Sequence, residues 1–168
     1  MKKNRLILGV FCLLLILLLC GCPYESEIPL GKISKAEIDT GLIGKWQHTE
    51  EGESFTMIIQ QFNDYELLIM GIEDGEVQQD VMRAFVTVIK NEQFLNLQEI
   101  EESYDERGWY FVKYSISGAT LMAWSVDDAL FTKPLTSSRA LYRFVKQNLQ
   151  NKALYCSDSP MVFQRMGE

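Results

Sequence analysis

The sequence predicts a mainly β protein: an eight-stranded antiparallel meander barrel with a short N-terminal helix and one amphipathic helix before the last strand. Three observations predict it. Between Ile43 and Asp127 the chain falls into seven short apolar or alternating runs, as in antiparallel β proteins. The breaks at Asn63-Asp64, Asp74-Gly75, Asn91-Glu92 and Gly118 suit tight turns, so successive strands pair as hairpins. Several runs are apolar on both faces, which a half-solvated sheet does not need.

At the N-terminus, Lys2, Lys3 and Arg5 precede an unbroken apolar run from Leu6 that ends in Leu19-Cys20-Gly21-Cys22. A basic start, an apolar centre and a small residue before the cut make an exported segment. Leu6 to Leu19 is 14 residues, short of the about 20 needed to cross a hydrocarbon core. The stretch resembles the signal peptide of a bacterial lipoprotein, in which the cysteine after a small residue receives a lipid and becomes the new N-terminus. Gly21 precedes Cys22 whereas bulky Leu19 precedes Cys20, so Cys22 is assigned as the lipidated residue. The resemblance implies a diacylglyceryl thioether on Cys22, palmitate-type acylation and membrane attachment in the bacterial cell envelope, with inner and outer membrane both open.

Residues 1–21 are thus read as the signal, 22–33 as a lipidated tether and 34–168 as the barrel domain. Without Lys2, Lys3 and Arg5, 13 of the 16 basic residues remain against 23 acidic ones, a formal charge of −10. That balance argues against nucleic acid and against spreading on an anionic membrane surface. Cys12 and Cys20 leave with the signal and Cys22 carries lipid, which leaves Cys156 alone as a small apolar residue. The core, not disulfides, holds the fold.

Pro23 to Ile33 is rich in Pro, Gly, Glu and Lys, and as a flexible tether it spans ~20 Å. Ser34-Lys35-Ala36-Glu37 has capping-box spacing and predicts a short helix ending near Gly41. The strands follow: Ile43 to Thr49, Ser54 to Phe62, Tyr65 to Glu73, Val81 to Lys90, Gln93 to Ile100, Trp109 to Ser117 and Ala119 to Asp127. After Pro134, Thr136-Ser137-Ser138 offers an N-cap, and Leu141, Phe144, Val145 and Leu149 form one apolar stripe that covers the sheet. Arg139, Arg143 and Lys146 recur on a solvated face. Met161 to Met166 is the eighth strand, and closure removes the exposed edges.

Gly44-Lys45-Trp46 opens the first strand directly after the expected helix, and the last strand carries Arg165. This arrangement resembles the lipocalin-like (calycin) barrels, where a G-x-W motif opens the barrel and the tryptophan packs near the closed end under a basic residue. An indole fills the base and a guanidinium stacks on it. The resemblance implies packing roles for Gly44, Trp46 and Arg165. The Thr-Asp-Tyr motif of those barrels is absent here, and the large helix precedes the final strand.

Catalytic and metal chemistry find no footing. His48 has no companion histidine, and no serine lies in a G-x-S-x-G elbow. The acidic run Glu99, Glu101, Glu102, Asp105, Glu106 lacks calcium-loop spacing and reads as a solvated hairpin loop. Asp127 and Asp128 read as capping or loop residues. A non-enzyme is expected, with no metal and no cofactor beyond the lipid on Cys22. Phe55, Met57 and Ile59, then Leu67 and Ile69, then Met122, Trp124 and Val126, alternate on their strands and are the candidate cavity lining. The expected function is to bind a small apolar or amphipathic ligand in the barrel. The alternative is a filled-barrel scaffold that docks a protein partner.

Overall fold

The computed structural model describes residues 22–73, 76–100 and 108–167. The signal expected over 1–21, the Asp74-Gly75 turn and residues Glu101, Glu102, Asp105 and Glu106 of the acidic run lie outside the described residues.

Eight strands form one closed antiparallel barrel in sequence order. They are β1 (Gly44–Glu50), β2 (Glu53–Gln61), β3 (Leu67–Glu73), β4 (Glu76–Ile89), β5 (Glu92–Glu99), β6 (Tyr110–Ser117), β7 (Thr120–Ser125) and β8 (Met161–Arg165). Left-handed backbone at Glu51 and Gly52, Lys90 and Gly118 makes the tight turns whose twist matches the flanking strands. β8 pairs with β1 through Trp46↔Arg165, Gln47↔Gln164 and His48↔Phe163, so no edge strand is left to recruit another chain. The end holding Gly44 and the β2–β3, β4–β5 and β6–β7 turns is the base; the opposite end is the mouth.

Two cores lie on the two faces of the sheet. Inside, Trp46, Ile59, Leu67, Ala84, Leu95 and Tyr114 pack with Phe163. Outside, Phe85, Ile89, Phe94 and Phe111 pack beneath an α-helix, α1 (Ser138–Asn148), the one α-helix among the described residues. The two-sided apolar strands therefore have work on both faces. The Ser137 side chain caps α1 by accepting from the Ala140 amide. Leu141 and Val145 are fully buried, whereas Arg139, Arg143 and Lys146 face solvent. Each fully buried Leu or Val contributes about 1.5–3 kcal/mol.

Two expectations are corrected. Residues 23–33 are not a free tether but a strap bound to the outer face. Tyr24 donates to Val126 (2.8 Å), Ser26 and Trp109 exchange backbone hydrogen bonds (3.0 and 2.7 Å), and Leu30 is 1% exposed. Composition concealed an alternation. Tyr24, Ser26, Ile28 and Leu30 turn toward the barrel while Glu25 and Glu27 face water. Nor do residues 34–41 form one continuous helix. Single 3-10 turns at Ile33–Lys35 and Thr40–Leu42 flank an extended stretch. The chain must run from Ala36 in the outer core to Leu42 in the barrel. Extended backbone covers ~3.3 Å per residue and a helix ~1.5 Å, so the longer span wins over the capping signal.

Asn96, buried on β5, fastens the strap. Its Oδ1 accepts from the Leu30 amide at 2.7 Å, and its Nδ2 donates to Phe85 O (3.2 Å) and Thr87 Oγ1 (2.9 Å). Gly31 crosses Thr87 so closely that a Cβ there would meet Oγ1 at 2.3 Å. Asn96→Leu leaves the Leu30 amide unpaired and is expected to cost about 1–3 kcal/mol. Hydrogen exchange should then accelerate over residues 23–33 while the β1–β8 amides stay protected.

Candidate functional site

The base is built around Trp46. Its Nε1 donates to Leu42 O at 2.7 Å, and the Arg165 guanidinium lies over the ring, 4.2 Å from its centroid. Arg165 also donates through Nη1 to Ile43 O (2.7 Å) and through Nη2 to Gly41 O. The charge is thus met by two carbonyls and an indole face, a geometry that a planar guanidinium satisfies and an ammonium does not. Gly44 makes room. Its φ is +141°, and a Cβ would stand 2.6 Å from Arg165 Nη1.

Asp39 closes the base from the other side. One carboxylate oxygen accepts from the Gly41 amide at 2.9 Å, and the other accepts from the Tyr114 hydroxyl (2.9 Å) and Gln93 Nε2 (3.3 Å). Sequence reading missed this residue, although Asp-Thr-Gly is a turn signal in which the side chain bonds the backbone two residues on. Asn96 was missed too. A lone amide between Leu95 and Leu97 was the available sign, since a polar residue in a buried strand needs partners.

Toward the mouth the interior changes. The register places Phe55, Met57, Ile69, Leu97, Val112 and Met161 inward, and all six are half-buried. Ile59 and Leu67, nearer the base, are 1% and 0% exposed. The structure therefore brings Phe55, Met57, Ile59, Leu67 and Ile69 together on one inner wall.

It does not bring Met122, Trp124 and Val126 to that wall. Tyr114↔Ala123 and Ile116↔Leu121 set Leu121, Ala123 and Ser125 inward and the bulky set outward. Trp124 lies under Lys113 Nζ at 5.4 Å, and Val126 belongs to the outer core. Bulk misleads here because Tyr114 already fills the interior, so its cross-strand neighbour is a small alanine.

His48 is on the inner face of β1, its ring 5.3 Å from Phe163. Nδ1 donates to Val162 O at 2.8 Å, since a carbonyl can only accept, and Nε2 lies 3.5 Å from Glu50. Asp127 accepts from the Ala129 amide at 2.7 Å, and Asp128 donates its amide to Cys22 O at 3.2 Å. Both are loop residues. Cys156 is half-buried, and its amide donates to Ser125 O at 3.0 Å. Among the described residues no three His, Cys, Asp or Glu side chains converge to hold a metal. A hollow of about 590 Å³ lies under the strap at the base, with Lys32, Lys35, Glu37, Asp39 and Gln93 among its polar walls.

No family model, curated protein or solved structure matches this chain.

Arg165→Lys cannot serve both carbonyls and cover the indole, and is expected to cost about 1–3 kcal/mol with red-shifted tryptophan emission on urea titration. Burial, aided by Glu92, pushes the Tyr155 hydroxyl from 10.0 up to about 12. Burial, then the charge and hydrogen bond of Asp39, also pushes Tyr114 up. The folded chain keeps these protons after the unfolded chain loses them. Stability from these groups is therefore intact below about pH 10 and falls as pH rises toward the Tyr155 value of about 12. Tyr155→Phe is expected to flatten that fall in urea midpoints.

Proposed function

We propose that this protein is a bacterial envelope lipoprotein, acylated on Cys22, whose lipocalin-like barrel binds one small apolar or amphipathic molecule through its mouth and performs no catalysis. The supporting observation is the division of the interior. The base is packed around Trp46 and Arg165, while mouthward side chains such as Phe55, Met57 and Ile69 face inward and still touch solvent. Apolar surface kept in reach of solvent inside a concave wall is what an acyl chain or similar ligand would bury. The Gly44, Trp46 and Arg165 arrangement also supports the lipocalin-like reading, because a glycine, an indole and a stacked cation occupy the base together.

Docking of a protein partner to a filled barrel is the second reading. It draws support from Phe62 and Tyr65, which are 55% and 45% exposed at the β2–β3 turn. The outer apolar faces of β4 to β6 no longer favour it, since α1 and the strap cover them.

Displacement of a fluorescent fatty acid from the soluble Cys22→Ser variant tests the first reading. Saturable binding is expected. Ile69→Glu, which puts a charge on the inner wall, should weaken it at least about tenfold, equivalent to ~1.4 kcal/mol. Met122→Glu on the outer wall should leave it unchanged. No saturable uptake, or equal loss in both variants, contradicts ligand binding in the barrel.

A further inference from the structure

The anchor has no slack. Cys22 is exposed, but its own carbonyl accepts from the Asp128 amide at 3.2 Å, and Pro23 already forms a bridge with Asp127. Tyr24 stacks on Phe131 with ring centroids 3.5 Å apart and planes 7° from parallel. Cys22 is thus pinned beside the chain that leaves β7 at the mouth end, and no flexible residue separates it from the domain.

Next to this point the loop after Asp128 carries an apolar hollow of about 220 Å³, lined by Leu130, Phe131, Leu135 and Phe144. Leu130, Phe131 and Leu135 are half-exposed, and Thr132, Lys133 and Pro134 are exposed. Such a mixture of apolar bodies around one lysine suits the boundary between acyl chains and headgroups, where lysine extends its ammonium to water. Resting on the lipoprotein reading of Cys22, we propose that the barrel lies against the bilayer that anchors it. The mouth end is the membrane-proximal end, and residues 128–135 are the contact loop.

The occupant of the loop's apolar hollow is the lipid surface itself, for a geometric reason. A lipid on Cys22 enters the bilayer within one residue of a fixed point on the barrel, so the neighbouring loop is carried to the same depth. Had 22–33 been a free tether, it would have let the domain stand off by ~20 Å. Glu25, Glu27, Asp127 and Asp128 flank the contact and oppose anionic headgroups, so the contact depends on the covalent anchor and is strongest on zwitterionic lipid. A ligand leaving the bilayer would then enter the mouth over a short path.

Site-specific quenching tests this. The full lipidated chain, with Cys156→Ser, carries one fluorophore at Thr132→Cys or at Ala119→Cys in the base turn, and is reconstituted into phosphatidylcholine vesicles containing headgroup-nitroxide lipid. The six-residue β7 spans ~17 Å between Ala119, in the base turn, and the mouth-end point from which the loop carrying Thr132 departs. The Thr132 label is expected to be quenched several-fold more than the Ala119 label. A flexible Gly-Ser spacer inserted after Cys22 should abolish that difference without releasing the protein from vesicles. Equal weak quenching of both labels in vesicle-bound protein, or stronger quenching at Ala119, overturns the orientation. A chain that neither gains the lipid mass nor floats with vesicles instead refutes lipidation of Cys22, and the orientation with it.

Discussion

The barrel closes through a cross-strand pair, Trp46 on β1 and Arg165 on β8, and most of the architecture depends on it. β1 and β8 share only three paired positions, and the first of these is the stacked pair. The same guanidinium gathers the carbonyls of Gly41 and Ile43, which ties the 3-10 turn at Thr40–Leu42 to the seam. Asp39 ties that turn to Tyr114 on β6. Chain entry, closure and base packing are therefore one polar and aromatic unit. Buried groups of this kind are destabilising if any partner is removed, because the remaining dipoles have no water to turn to.

A second dependence runs over the outside. Strands apolar on both faces need a cover, which α1 supplies with Leu141 and Val145 and the strap supplies with Ile28 and Leu30. Asn96 holds the strap to the sheet by accepting from the Leu30 amide, and two bonds that it donates to Phe85 and Thr87 of β4 fix its own side chain. The consequence reaches function. A strap that completes a core cannot also act as a loose tether, so the position of Cys22 and the orientation of the mouth are fixed together.

Much of this was legible in the sequence, for identifiable reasons. Hairpin chemistry at Asn91-Glu92 and Gly118 and two-sided strands such as 81–90 led to a closed meander, and the stripe Leu141, Phe144, Val145 led to the covering helix. Parity was harder. On β7 both alternations are apolar, and only the pairing of Ala123 with Tyr114 shows which one faces inward. The strap was misread because its glutamates and prolines outweighed an alternating Tyr24, Ile28, Leu30. Ser34-Lys35-Ala36-Glu37 fits a capping box locally, but the distance from outer core to base is a tertiary demand that no window of residues displays. Asp39 and Asn96 act through partners tens of residues away, Tyr114 and Leu30, which local spacing cannot reveal.

Native methionines allow the central claim, an apolar mouth above a packed base, to be read directly. Met57, Met82 and Met161 face inward toward the mouth, Met70 and Met122 face outward, and Met166 follows β8 at the base. In methyl NMR of the protein with labelled methionine, addition of a short-chain fatty acid is expected to shift Met57, Met82 and Met161 and leave Met70, Met122 and Met166 in place. Shifts confined to the outward or base methionines, or none at saturating ligand, would contradict it.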